Sequence, residues 1–129
     1  MILVDSSAWI EVLRGHGREA FARATAADEV VTCLPIVQEV LQGIDDDAAF
    51  HLAAAAFADI RILENPLTRD VFDAAIQLYR TARRSAITVR SSVDCLIAVC
   101  AMRNDAVVLH TDRDFTNLAR IATLRVRRL

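Results

Sequence analysis

The feature that most restricts the fold is an alternation. Short apolar runs recur between longer stretches whose apolar residues return every three or four positions. The short runs, at Ile2–Val4, Val30–Thr32, 60–63, 106–110 and 124–126, read as strands. In the last of them Arg125 points away from Leu124 and Val126. The stretches between carry the helical period. Ser6 and Ser7 offer N-caps for a helix through Trp9, Ile10 and Leu13 that stops at Gly15, and residues 19–27 form a second. Pro35 opens a third through Ile36, Val40 and Leu41 to Gly43. Asp45, Asp46 and Asp47 open an Ala-rich helix reaching Phe57, while Asn65-Pro66 closes the strand at 60–63. Thr68 caps a long amphipathic helix with Val71, Ala75, Leu78 and Ala82 on one face. Ser91 or Ser92 starts a helix through Met102, and a short one covers 114–121. Strands alternating with helices imply βαβ units, hence an α/β fold whose mainly parallel, twisted sheet is covered by helices on both faces.

With 129 residues the chain is expected to form a single domain, 1–129, that buries about two-thirds of its unfolded surface. Hydrophobic residues make up 54%, enough for a full core and too many for a disordered chain. No apolar run reaches the roughly 18 residues of a membrane span, so no membrane association is expected. The opening MILVDSSAWIEV lacks a basic n-region, and Asp5 interrupts its apolar stretch. It reads as a first core strand of a cytoplasmic protein and not as a signal peptide. Cys33, Cys95 and Cys100 are odd in number and contain no CxxC pair, which points to buried reduced thiols and away from disulfides or zinc. The net charge of -2 gives no global basic field, yet every one of the 15 basic residues is Arg. Arg binds phosphate bidentately, so the surface stays competent for nucleic acid.

In open parallel sheets ligands bind beyond the carboxyl ends of the strands. Asp5 directly follows the first strand, and Asp112 and Asp114 follow the strand at 106–110. Asp94 lies in the first turn of a helix that is apolar almost all round, through Val93, Leu96, Ile97, Val99 and Cys100. Each acid has a purely structural reading: Asp5 as a cap, Asp94 as a complement to its helix dipole, Asp112 and Asp114 as turn residues. Together they suggest a cluster, because distant parts of the chain bring acids to one rim. Carboxylates so close repel, and some must take up protons unless a cation neutralises them. Hard oxygen donors without His or Cys select Mg²⁺ or Mn²⁺ over zinc, and such an ion activates water and stabilises charge on a phosphoryl group.

Other chemistries find no support. Gly15-His16-Gly17-Arg18-Glu19-Ala20 fits a loose dinucleotide pattern, but a helix-like segment precedes it where a strand is required. There is no P-loop, no second Asp two places after Asp5 where Ser7 stands, and no Lys for receiver-type phosphate chemistry. His16, His51 and His110 show neither ligand nor triad spacing; His110 reads as a strand-end residue able to reach a nucleic acid, and Trp9 as core.

At Ile2-Leu3-Val4-Asp5-Ser6-Ser7-Ala8-Trp9-Ile10, at Ser91-Ser92-Val93-Asp94-Cys95-Leu96-Ile97-Ala98 and at Thr111-Asp112-Arg113-Asp114-Phe115, the chain resembles the PIN-domain ribonucleases, specifically the VapC toxins of bacterial toxin–antitoxin pairs. The three pieces occur in the family's order, and length and element order match over essentially the whole chain. The resemblance implies a three-layer α/β/α PIN-like fold and an endoribonuclease with a Mg²⁺ or Mn²⁺ site. It implies Asp5, Asp94 and Asp112 as metal ligands and a fourth catalytic acid in the helix after the second strand. Glu39 fits that place, although periodicity alone makes it a surface residue off the apolar face of Ile36, Val37, Val40, Leu41 and Ile44. Asp114 is an alternate ligand, and Ser6 and Thr111 are partners for the acids. Arg14, Arg90 and Arg113 are candidates to hold RNA. The family also implies a VapB-type antitoxin and a homodimer. The competing reading is a PIN-like binding or regulatory module without catalysis; retention of all four acids argues against it.

Overall fold

The computed structural model describes residues 1–129 and contains twelve elements. In chain order they are β1 (Ile2–Val4), α1 (Ser6–Leu13), α2 (Arg18–Thr25), β2 (Val30–Thr32), α3 (Leu34–Gln42) and α4 (Asp47–Ala58), followed by β3 (Arg61–Ile62), α5 (Arg69–Arg84), α6 (Ser92–Arg103), β4 (Val107–His110), α7 (Arg113–Leu118) and β5 (Arg125–Arg128). The five strands form one sheet in the order β3-β2-β1-β4-β5, and every pairing is parallel. The expected sheet was mainly parallel; the observed one is wholly so.

β1 is buried on both faces, which is why it reads as an unbroken apolar run. Its alternate residues supply two cores. Leu3 and, across the register, Val108 enter a large cluster with Ile36 of α3, Val71 and Leu78 of α5, and Ile97 of α6. Ile2, Val4 and Leu109 point the other way, toward Ala8 and Trp9 of α1 and Phe21 of α2. Trp9 is wedged between Phe21 and Phe57, both at 5.3 Å between ring centroids, so it packs as core. The helices thus sandwich the sheet in three layers. No helix is long and apolar enough to cross a membrane.

Several boundaries differ from expectation for identifiable reasons. The N-cap of α1 is Asp5, not a serine: its side chain accepts from the Ser7 N–H, leaving Ser6 and Ser7 inside the first turn. The last strand begins at Arg125 and runs on to Arg128, while buried Leu124 precedes it. It pairs on one side only and is exposed along most of its length, so it does not depend on apolar alternation. Gly15 and Gly17 both have positive φ and turn the chain between α1 and α2, which removes the dinucleotide reading of that stretch. The three cysteines are free and buried.

Chain order places the site. From β1 the sheet grows outward in two directions, to β2 and β3 on one side and to β4 and β5 on the other. The carboxyl ends of β1 and β4 therefore flank a topological switch point, where the loops diverge and leave a crevice. The Asp5 N–H donates to the carbonyl of Leu109 at 2.9 Å, holding the two strand ends side by side.

Candidate active site

Asp5 leaves β1 and is only 1% exposed. Its Oδ2 caps α1 through the Ser7 N–H at 3.0 Å and also accepts the Ser7 hydroxyl. Its Oδ1 is buried without any hydrogen-bond partner. The capping reading is therefore right for one oxygen and leaves the other unexplained. The Thr111 N–H in turn donates to Ser7 Oγ at 3.1 Å, so Ser7 ties the end of β1 to the loop after β4. Reasoning from sequence gave Ser7 no such role; its position two residues after a strand-end acid, within reach of that carboxylate, was the available signal.

Asp94 is carried by α6, whose apolar sides are buried against α3, α5, α7 and β4. It is 6% exposed, and its Oδ2 lacks a partner. Asp112 caps α7 by accepting the Asp114 N–H at 2.9 Å. Asp114, in the first turn of a helix that packs Phe115 and Leu118 inward, is 1% exposed. Ligand-capable oxygens of Asp94, Asp112 and Asp114 lie within 4.8 Å of one another. Both acids of the 112–114 pair thus stand in the cluster.

Asp5 falls outside that tight triad, but its charge acts on the same cleft. The Asp94 carboxyl is pushed up to about 8, first by burial, then by the charge of Asp5, with a hydrogen bond to Asp114 adding to it. Asp5 is itself raised, chiefly by burial, against the lowering effect of its bonds to Ser7. Glu39 projects from α3 and is raised by burial and by Asp5. Ser6 donates its hydroxyl to Glu39 Oε2 at 3.4 Å, while Oε1 is buried without a partner. The surface position that periodicity assigned to Glu39 is therefore corrected in part: α1 packs against this side of α3 and leaves the residue half-buried, bordering a hollow.

Arg90 enters from the turn before α6. Its guanidinium donates to Asp112 Oδ1 at 2.8 Å and to Asp114 Oδ1 at 3.4 Å, and its backbone N–H donates to Asp114 Oδ2 at 2.9 Å. Arg113 is exposed at the start of α7. Arg14 lies on the other side, lining a hollow with Glu39 between α1, α3 and α4. His110 is fully buried with its ring on Phe115, so it does not face RNA; burial also lowers its pKa. Chemically the site is an all-oxygen acidic cleft that is under-neutralised by its own protein. That is the setting for a hard divalent cation and for phosphoryl chemistry.

Comparison with known proteins agrees with this geometry. A model of the PIN domain matches residues 2–121. Over 130 aligned positions the chain is 38% identical to VapC ribonuclease Mb1587 of Mycobacterium bovis and to ribonuclease VapC11 of Mycobacterium tuberculosis, covering 97% of this chain and 96% of each relative. Among solved structures, VapBC-1 from nontypeable Haemophilus influenzae aligns with a TM-score of 0.77 at 14% identity, over 99% of this chain and 98% of that one. VapBC2 from Rickettsia felis, bound to a promoter DNA fragment, aligns with a TM-score of 0.75 at 12% identity, over 100% and 99%. At those identities the likeness is one of fold. The family match and the close relatives go further: the chain belongs to the PIN-domain family, and within it to the VapC ribonucleases.

Proposed function

We propose that the chain, acting as one domain over residues 1–129, is an endoribonuclease dependent on Mg²⁺ or Mn²⁺ and the toxin of a VapBC-type pair. The observation that carries this reading is the convergence of Asp94, Asp112 and Asp114, with Asp5 and Glu39 beside them, at the switch point of the sheet. The donors fit such an ion: all are carboxylate oxygens, and Asp5 Oδ1, Asp94 Oδ2 and Glu39 Oε1 are buried without protein partners. Asp5, Asp94 and Asp112 would hold it, with Asp114 beside them or in place of Asp112. When bound, the ion polarises a phosphoryl oxygen and lowers the pKa of a water.

The protein's own groups do the rest. Ser7 fixes Asp5, and the Thr111 N–H fixes Ser7, so the strand-end acids keep their spacing. Ser6 holds one oxygen of Glu39 and leaves Oε1 to help bind a second ion or to position the attacking water. The water oxygen bonds to phosphorus as the bond to the 3′ oxygen breaks. That oxygen takes up a proton from solvent, which also receives the one the water gives up, so the products are a 5′-phosphate and a 3′-hydroxyl. Arg14, Arg90 and Arg113 hold the RNA backbone. A VapB-type antitoxin blocks the cleft, the chain works as a homodimer, and both act in the cytoplasm. The antitoxin is supported by fold neighbours described as toxin–antitoxin systems.

The test incubates purified protein with total RNA in Mg²⁺ or Mn²⁺, then in EDTA, beside Asp5→Asn and Asp94→Asn. Cutting that needs metal and is lost in both variants is the expected result. Cutting that survives both substitutions would sink the site. No cutting of any cellular RNA, together with no metal binding, would leave only a binding module.

A further inference from the structure

Beside the carboxylate cluster lies a hollow of about 540 Å³ between α7 and the segment preceding α6. Arg90 borders it from the turn; Arg113, Asn117 and Arg120 border it from α7 and the turn that continues it. These last three are spaced four and three residues apart, which places them along one face of a helical path. The Arg120 N–H donates to the Asn117 carbonyl at 3.1 Å, so that path runs on past the end of α7.

The charges in this hollow are unequally committed. Arg90 is occupied with Asp112 and Asp114. No carboxylate stands within ion-pair distance of Arg113 or Arg120, whereas seven other Arg of the chain are ion-paired. Asp114 also borders the hollow, but both its oxygens are engaged by Arg90, one by the backbone N–H and one by the guanidinium. Its negative charge is thereby answered locally. The rest of the lining is polar apart from Ala86 and Ile87. A hollow with two uncommitted guanidinium groups and little apolar surface suits an oxyanion, and it lacks the apolar anchors that a docked peptide needs.

We propose that this hollow is a subsite for an RNA phosphate adjoining the one that is cut, held by Arg113 and Arg120 with Arg90 at the boundary between subsite and carboxylates. The inference rests on the ribonuclease reading. Asp114 joins the two regions: the same residue stands in the acidic triad and in the wall of the hollow. A strand whose scissile phosphate sits at the carboxylates therefore extends directly into it. Asn117 and Thr88 lie where they can hydrogen-bond a ribose or base of that strand. Arg120 and Asn117 were not among the candidates that the sequence alone offered; their spacing from Arg113 was the available signal.

The test measures binding of a labelled single-stranded RNA to the full chain carrying Asp94→Asn, which prevents cutting, as salt is varied. Adding Arg113→Gln and Arg120→Gln is expected to weaken binding about tenfold or more near 0.1 M salt. The slope of log affinity against log salt should shrink by about 0.7 for each phosphate that is no longer neutralised. Arg113→Lys with Arg120→Lys should keep most of that slope, since the charge remains. An unchanged slope in the Gln pair overturns the proposal, even if the unmutated chain cuts RNA. An acidic polyglutamate peptide that displaces the RNA in proportion to Arg113 and Arg120 would mark the hollow as a peptide site and overturn it too. If the unmutated chain neither cuts nor binds RNA, the ribonuclease reading falls and the subsite with it.

Discussion

Replacing the titratable carboxyl of Asp94 by a neutral amide should make the metal-free protein more stable while destroying its site. Asp94 has its pKa pushed from 3.8 up to about 8, chiefly because it is buried and faces Asp5. The folded chain therefore keeps a proton that the unfolded chain has released. This group's contribution to stability is fully present below about pH 4 and is lost as pH rises through about 8. Each pH step in that window costs about 1.4 kcal/mol. At pH 7, roughly three steps above the unfolded value, the ceiling is about 4 kcal/mol. The neighbouring acids share the proton, so about half of this, or about 2 kcal/mol, is a fair expectation. In a chain of this length 1 kcal/mol moves Tm by about 4 °C, so Asp94→Asn should melt roughly 8 °C above the native protein at pH 7. Thermal unfolding in EDTA from pH 4 to 9 measures it. The native curve should fall across this range, and the Asn variant should fall much less. Parallel curves, or a variant less stable than the native protein at pH 8, would refute the claim that burial and Asp5 raise the Asp94 carboxyl.

Four further outcomes follow from the same geometry. Adding Mg²⁺ or Mn²⁺ at about 100 times its dissociation constant should stabilise the native protein by about 2.7 kcal/mol in calorimetry, and Asp94→Asn should lose most of that gain. Ser7→Ala removes the hydroxyl that joins Asp5 to the Thr111 N–H, and should cost about 1 kcal/mol in denaturant unfolding and at least tenfold in RNA cleavage rate. Arg90→Gln withdraws a resident cation from Asp112 and Asp114, so metal titration by calorimetry should show tighter binding. Phe115→Ala empties a fully buried position against His110 and should cost about 3–5 kcal/mol, enough to reduce soluble yield sharply.

Most elements could be read from the chain because propensity, capping and burial agree there. Ile2–Val4 is apolar on both faces since both faces are covered, and Pro35 opens α3 within its first two positions. Glu39 was not legible in this way. Helical period places it off the apolar stripe of α3, and only the packing of α1 against that side half-buries it. The pairing of Arg90, itself named as a candidate to hold RNA, was hidden for another reason. Its partners Asp112 and Asp114 lie more than twenty residues away in sequence, and the contact depends on how the turn before α6 meets α7. Strand-end acids are local signals, since each announces itself beside its own strand. Partners that cross between loops are set by tertiary placement and leave no periodic trace.

The parallel pairing of β1 with β4 has a consequence in time as well as in space. Val107, which pairs with Ile2, lies 105 residues further along the chain. Such pairings must close a long loop before they gain anything, which slows folding. Asp5 leaves the ribosome 107 residues ahead of Asp112 and 109 ahead of Asp114. The acidic cleft thus has no partial form during synthesis: a nascent chain lacking β4 carries Asp5 and Glu39 but neither the triad nor the strand end that holds Asp5 in place. Whatever this centre does to RNA, it cannot begin until β4 and the acids that follow it have been made and β4 has joined β1.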